Sequence, residues 1–294
     1  MVISTKDRRD ELRCAVESAL AQDAKPEVLV IDDGSSDGTS DFVERAFPTV
    51  KVHRNMQSVG LIVARNRAAQ MARGSILISL DDDAVFSTPT VVSQTLADIE
   101  GPRIGAVAIP HLDVNRSEGA HALRAPKNEE VWVTAVFRGT AYAIRRAVFI
   151  DLNGFREDFL HQGEEADFCL RMLGAGWWCR VGRADEIHHF ESPHRDVTRM
   201  EVNGSKNELL HVWSNVPWPW AAPYMAVYAA KRIAYGLRVG RPVNQLRGIW
   251  RGLVAIARDP GTRRPVSQRT RRLDRRLRRA GMLALDSKGQ LEDR

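Results

Sequence analysis

Over the first 110 positions, two patterns of apolar residues alternate. Short runs rich in β-branched residues, at Met1–Ser4, Val28–Ile31, Val50–His53, Ile76–Leu80 and Ala106–Ile109, read as strands. Between them Arg9–Gln22, Thr39–Phe47 and Leu61–Ala72 repeat at helical spacing, with Leu12, Val16, Ala19 and Leu20 on one stripe. Strands that alternate with helices predict an α/β fold with a mostly parallel sheet covered on both faces. Residues 111–205 are mixed. Val131–Phe137, Tyr142–Ile144 and Gly176–Val181 read as strands, Gly154–Glu157 as a turn and Glu164–Leu173 as a helix. From 206 to 294 helical stripes continue without strand alternation while the arginine content climbs. The expected division is an α/β domain over 1–205, in halves 1–110 and 111–205, followed by a helical, basic extension over 206–294.

In open parallel sheets ligands bind beyond the carboxyl ends of the strands. Two acidic clusters fall at that edge, Asp32-Asp33-Gly34-Ser35-Ser36-Asp37 and Asp81-Asp82-Asp83. Like charges gathered at a strand end repel, and burying them is costly unless something positive joins them. Hard divalent cations bind carboxylate oxygens, and Mg²⁺ reaches protein sites together with substrate phosphates. A metal holding a phosphorylated ligand is the chemical expectation, against an acidic turn left in water.

Composition narrows the class. The chain has 294 residues, 44% of them hydrophobic and 27% charged, as expected of a globular protein. A net charge of +6 points to an anionic partner. Cys14, Cys169 and Cys179 are odd in number and distant in sequence, which argues against a disulfide framework and fits a reducing compartment. The first residues read as strand and turn rather than signal peptide. The expected location is cytoplasmic, with peripheral contact to the inner face of the membrane as an added reading.

Taken in order, several motifs resemble one family. They are Ser4-Thr5-Lys6-Asp7-Arg8 after the first strand, Val30-Ile31-Asp32-Asp33-Gly34-Ser35-Ser36-Asp37, Gly60-Leu61-Ile62-Val63-Ala64-Arg65-Asn66, Leu80-Asp81-Asp82-Asp83, and Gly163-Glu164-Glu165-Ala166-Asp167. This series is similar to the family-2 inverting glycosyltransferases with the GT-A fold, over about residues 1–200. The resemblance implies a nucleoside diphosphate sugar donor handled by 1–110, a hydroxyl acceptor handled by 111–205, and Mn²⁺ or Mg²⁺ as cofactor. It places Ser4, Lys6, Asp33, Arg65, Asn66, Asp81 and Asp82 at the donor. Asp83 and Asp81, the ends of an Asp-x-Asp pattern, become metal ligands, joined by a histidine after the Trp177–Val181 strand, His188 in preference to His189. The base that takes the acceptor proton falls on Glu165, with Glu164 as competitor, where the family usually has aspartate. Arg195 is a further diphosphate contact by the same reading.

Other classes remain as alternatives. A sugar-nucleotide-forming nucleotidyltransferase would want glycine in its first loop, and Ser4–Arg8 has none. A non-catalytic sugar-nucleotide or carbohydrate binder is the reading if Glu165 cannot act as base. Nucleic-acid binding is not expected. Trp213, Trp218, Trp220, Tyr224, Tyr228 and Tyr235 followed by arginine-rich helices suit packing on the core with contact to an anionic membrane surface, and a lipid-linked glycan or other hydroxyl compound fits as acceptor.

Overall fold

A computed structural model of the chain describes residues 1–101, 103–115, 120–121, 123–191 and 196–291. The first half runs β1 (Val2–Thr5), α1 (Arg9–Leu20), β2 (Leu29–Asp32), α2 (Thr39–Ala46), β3 (Lys51–Arg54), α3 (Leu61–Met71), β4 (Ile76–Asp81), β5 (Ala84–Phe86), α4 (Val91–Asp98) and β6 (Ile104–Ala108). It continues through β7 (His111–Asp113), β8 (Ala120–His121), β9 (Val131–Thr134), β10 (Ala141–Arg145), α5 (Arg146–Asp151), α6 (Glu164–Gly174), β11 (Trp178–Val181) and β12 (Ile187–His189). Four helices and a strand follow: α7 (Val197–Asn215), α8 (Ala221–Arg238), α9 (Pro242–Arg258), α10 (Gln268–Ala280) and β13 (Leu283–Leu285).

The main sheet has the order β13-β9-β11-β6-β10-β4-β1-β2-β3. Its β4-β1-β2-β3 half is parallel, as expected, and the remainder is mixed, because β10 runs antiparallel to both β4 and β6. Successive strand residues point to opposite faces, and here each face has its own core. Ile3, Val30, Ile78, Leu80 and Val107 pack with Leu12, Val16 and Ala19 of α1 and Val91 of α4. Val2, Leu29, Ile31, Leu77 and Ala106 pack on the other side with Ile62 and Ala68 of α3, Phe149 of α5 and Phe168 of α6. A continuous apolar strand is therefore required, and the sequence supplies one at each central position.

A second small sheet, β5-β12-β7-β8, forms just past the end of β4. β5 begins three residues after Asp81, and β12 pairs with it so that His189 lies opposite Ala84. This short pairing decides which histidine reaches the acidic cluster.

Three features add to the expected picture. The C-terminal extension is not purely helical: Gly281 (φ +79°) ends α10, and Leu283–Leu285 then adds β13 to the main sheet along β9. The division at 205/206 falls inside α7, whose N-terminal turn already borders the cleft described below. Cys169 and Cys179, distant in sequence, are both buried and hydrogen-bonded to each other, which pushes the Cys179 thiol up. Residues 192–195, including Arg195, lie outside the described residues.

Candidate active site

A cleft of about 690 Å³ opens at the carboxyl ends of β1, β2 and β4. Asp81, Asp82 and Asp83 form its floor. Burial raises the Asp81 and Asp82 carboxyls, Asp82 to about 7, although Arg65 pulls the first and Arg8 the second the other way. Asp83 ends up below its ordinary value, because hydrogen bonding and charge from His189 and Arg8 outweigh its burial. Arg8 Nη1 lies 3.1 Å from Asp82 Oδ1 and 2.9 Å from Asp83 Oδ2.

Extended backbone at β12 sends neighbouring side chains to opposite faces. His189, not His188, faces the carboxylates. Its Nε2 lies 3.3 Å from Asp83 Oδ1 and its Nδ1 2.6 Å from Asp113 Oδ1. His188 is no part of this group, which corrects the order of preference between the two. One oxygen each of Asp81 and Asp83 and a ring nitrogen of His189 lie within 4.8 Å of one another. Two hard oxygens and an imidazole are a donor set that Mn²⁺ accepts, and Asp113 occupies the position that orients a metal-binding histidine from behind. Burial works against a charged His189, yet its bonds to Asp83 and Asp113 raise it to about 9. Metal binding at Nε2 therefore requires loss of a well-held proton. The residues present fit a divalent cation.

Arg65, on α3, divides the floor from the far wall. Its Nη2 donates to Asp81 Oδ1 at 2.7 Å and to the Gly139 carbonyl at 3.0 Å, and its Nη1 lies 3.4 Å from Glu164 Oε1. Burial opposes its charge, but Tyr142, Asp81, Glu164 and Glu165 together raise it further above its ordinary value. The planar fork lets one cation serve two carboxylates on different elements.

Glu164 and Glu165 begin α6, where the helix dipole favours a carboxylate. Burial outweighs that. It raises Glu164, and together with the neighbouring Glu164 charge it raises Glu165 to about 7. The two differ in access. Glu164 is 2% exposed and turned to Arg65, whereas Glu165 is half-buried. A Cβ added to Gly139 would stand 2.5 Å from Glu165 Oε1, so the glycine makes room for that carboxylate.

The segment leading to these glutamates is strained. Leu160 (φ +60°) and Gln162 (φ +73°) are left-handed, as is Gly163 (φ +85°). Asn207, buried on α7, holds the segment: its Nδ2 lies 2.7, 2.8 and 2.7 Å from the carbonyls of Phe159, His161 and Gln162.

The other expected residues divide. Ser4 and Lys6 line the cleft, and the buried Ser4 hydroxyl has no hydrogen-bond partner in the protein, leaving a donor for a ligand. Asp33 reaches the cleft, but its carboxylate already accepts from Asn55 Nδ2 (2.9 Å), Ser58 Oγ (2.6 Å), Val59 N (2.8 Å) and Gly60 N (2.9 Å). Burial opposes its ionisation and these bonds prevail, holding it below the usual carboxylate range. In this state it pins the 55–60 loop. Asn66 does not line the cleft. It is buried, donating to the Phe155 carbonyl (2.8 Å) and accepting from the Phe155 amide (2.9 Å), and so locks α3 to the turn after Asn153. Trp132 and Trp178 hydrogen-bond to Asn128 and Gly289, away from the cleft. Arg8 and Asp113 belong to the constellation without having been singled out, and Gly139, which the resemblance puts on the acceptor side, lines the cleft with them. Arg8 closes the first motif, and His111-Leu112-Asp113 shows the alternation that puts its two polar ends on one face.

Comparisons with known proteins agree with this geometry. The profile described as Glycosyl transferase family 2 matches residues 1–151. Succinoglycan biosynthesis protein ExoU of Rhizobium meliloti (strain 1021) is 28% identical over 196 residues, 60% of this chain and 57% of that protein. The chain thus spans little more than half of that relative. N-acetylglucosaminyl-diphospho-decaprenol L-rhamnosyltransferase of Mycobacterium tuberculosis (strain ATCC 25618 / H37Rv) is 25% identical over 246 residues, 70% of this chain and 80% of that protein. Among solved structures, S. aureus TarS 1–349 in complex with UDP-GlcNAc superposes with a TM-score of 0.61 at 16% identity, covering 92% of this chain and 82% of that one. Mannosyltransferase PcManGT from Pyrobaculum calidifontis, in complex with GDP-Man and Mn²⁺, gives 0.55 at 20% identity, covering 88% and 85%. These two likenesses establish the GT-A fold. With the family profile matched over more than half the chain, the chain belongs to glycosyl transferase family 2.

Proposed function

We propose that this protein transfers a glycosyl group from a nucleoside diphosphate sugar to an acceptor hydroxyl, with inversion at the anomeric carbon, and that it works with Mn²⁺. The observation that carries the reading is the meeting in one cleft of the Asp81–Asp83–His189 donor set and the Glu165 carboxylate, with Arg65 between them. A divalent cation bound by Asp81, Asp83 and His189 supplies Lewis-acid neutralisation of the charge that develops on the departing diphosphate. The imidazole in that set favours Mn²⁺ over Mg²⁺, which prefers an all-oxygen shell.

The chain's own residues do the rest. Glu165, raised toward the working pH by burial, takes the proton of the acceptor hydroxyl. The freed oxygen forms its bond to the anomeric carbon from the face opposite the diphosphate. The carbon–oxygen bond to the diphosphate breaks, and its electron pair leaves with the nucleoside diphosphate. Burial raises Glu164 and Asp81, and the Arg65 charge pulls both back toward ionisation. Lys6 and Arg8, at the mouth, stand where they can follow the phosphate charge. Ser4 supplies a hydroxyl to the nucleoside. The cleft wall contributed by α7 receives the acceptor, and the M. tuberculosis relative's name supports a lipid-linked diphospho-sugar in that role.

Incubation with UDP-, GDP- and dTDP-sugars and Mn²⁺ tests the reading. Release of a nucleoside diphosphate from one donor, dependent on metal, is expected. Consumption of a nucleoside triphosphate and a sugar phosphate instead would make the protein a nucleotidyltransferase.

The Asn207 clamp gives a second prediction. Replacing Asn207 by Ala leaves the left-handed segment without its tie to α7, so Glu165 loses its place. We expect turnover to fall about ten- to a hundredfold, with donor KM little changed. Loss of turnover and donor binding together would show that the clamp supports the whole fold rather than the base.

A further inference from the structure

We infer that the α8–α9 hairpin is a docking surface for an anionic lipid bilayer, placed beside the acceptor side of the cleft. α9 packs in an inverted manner. Its small residues face inward: a Cβ on Gly248 would stand 2.4 Å from the Val202 carbonyl oxygen, and one on Gly252 3.2 Å from that of Lys206. Ile256 packs on the core, but four large apolar residues face outward. Val243, Leu246, Trp250 and Leu253 recur at three- and four-residue intervals, with Trp250 67% and Leu246 50% exposed. On α8, Val227 and Leu237 lie on a similar stripe with Pro223, Ala230 and Ala234, all exposed. A helix of a globular protein normally turns such a stripe to the core, and an apolar surface of this kind marks an interaction site.

Charge selects the occupant. Residues 221–258 hold seven lysines and arginines and no aspartate or glutamate. Arg232 and Arg241 pair with Glu208 and Glu201 of α7. The other five have no carboxylate partner among the described residues, and Arg247 and Arg251 flank Trp250. A second copy of the chain would bring cations against cations, whereas a bilayer bearing anionic headgroups offers both the missing charge and an apolar interior. Among the described residues no helix is long and apolar enough to cross a membrane, so the contact is with the surface.

The position matters. Arg241 and Asn244, at the joint of the hairpin, both hold Glu201 at 2.8 Å, and Glu201 follows Arg199 and Met200, which line the cleft. Docking here would bring the open side of the cleft to the lipid surface. Only this use of the surface rests on the proposed transfer reaction; binding to vesicles does not.

The experiment is flotation of the full chain with vesicles of phosphatidylcholine, with and without phosphatidylglycerol. Binding about tenfold or more stronger to the anionic vesicles is expected, with a blue shift of tryptophan emission and weakening by salt. Leu246→Glu/Trp250→Glu should lose it by about tenfold or more. Arg272→Glu/Arg279→Glu, on α10, should keep most of it. Nucleoside diphosphate release without lipid should be unaltered in both variants, since none of these residues lines the cleft. Three results would overturn the inference: no binding to anionic vesicles, binding lost only with the α10 variant, or a dimer in solution abolished by Leu246→Glu/Trp250→Glu. Absent vesicle binding with intact release would leave the proposed function standing; vesicle binding with no release from any donor would remove the function and leave the surface.

Discussion

Glu165→Gln should lower glycosyl transfer by about a hundred- to ten-thousandfold while leaving donor binding intact. Glutamine keeps the volume and cannot take a proton. Glu165 is not a member of the Asp81–Asp83–His189 group, so that donor set stays complete in the variant. The stability consequence has a definite sign. Burial raises the folded-state pKa of Glu165 above its value in the unfolded chain, so the folded state binds the proton more tightly. Stability then falls as pH rises from the ordinary glutamate range to about 7, and glutamine escapes that cost. The variant should therefore unfold at the same or higher temperature than the parent at pH 8. In the parent, kcat should rise with pH along a limb displaced above the ordinary glutamate range. Unchanged turnover in Glu165→Gln would transfer the role to Glu164.

Arg65→Met carries the largest expected loss of stability. It removes the one guanidinium that, among the described residues, touches Asp81 and Glu164, at 2.7 and 3.4 Å, and strips the cation from a pocket where Glu164 is almost wholly enclosed. Breaking a buried ion pair by removing one partner costs about 3–5 kcal/mol, because the remaining charges stay buried and uncompensated. The loss depends on pH. Without Arg65 the two carboxyls titrate still higher in the folded state, so the deficit should be largest above neutrality and shrink as the pH falls and they protonate. Denaturant unfolding at pH 5 and pH 8 measures this. An equal deficit at both would mean that Arg65 acts by packing alone. Arg65→Lys should recover part of the stability, since an ammonium keeps the charge but cannot fork to both carboxylates.

Much of the parallel half-sheet was legible because its strands are continuous apolar runs between amphipathic helices. The acidic end of β4 was legible for the same reason: an apolar run that stops at three aspartates has few physical explanations. What escaped was set by contacts between distant segments. The preference for His188 could not be corrected from sequence, since the choice depends on β12 pairing with β5. Asn66 sits next to Arg65 in a motif, yet a helix turns adjacent residues about 100° apart, and only Arg65 faces the cleft. Asp33 reads as a ligand group until the four donors from Asn55, Ser58, Val59 and Gly60 are seen around it. β13 was hidden because three apolar residues after an arginine-rich helix carry too little pattern to announce a strand; β9 supplies the reason for it. That Gly139 makes room for Glu165, and that Asn207 ties the segment before it, are matters of distant contact which no local pattern records.

The proposed transfer depends on the acidic end of β4, completed by His189, joining a divalent cation to a nucleoside diphosphate. Calorimetric titration of the protein with UDP or GDP, with and without Mn²⁺, tests it most directly. Binding should need Mn²⁺ and be lost in both Asp83→Asn and His189→Ala. Equal binding with and without the metal, or full metal-dependent binding in both variants, would contradict it.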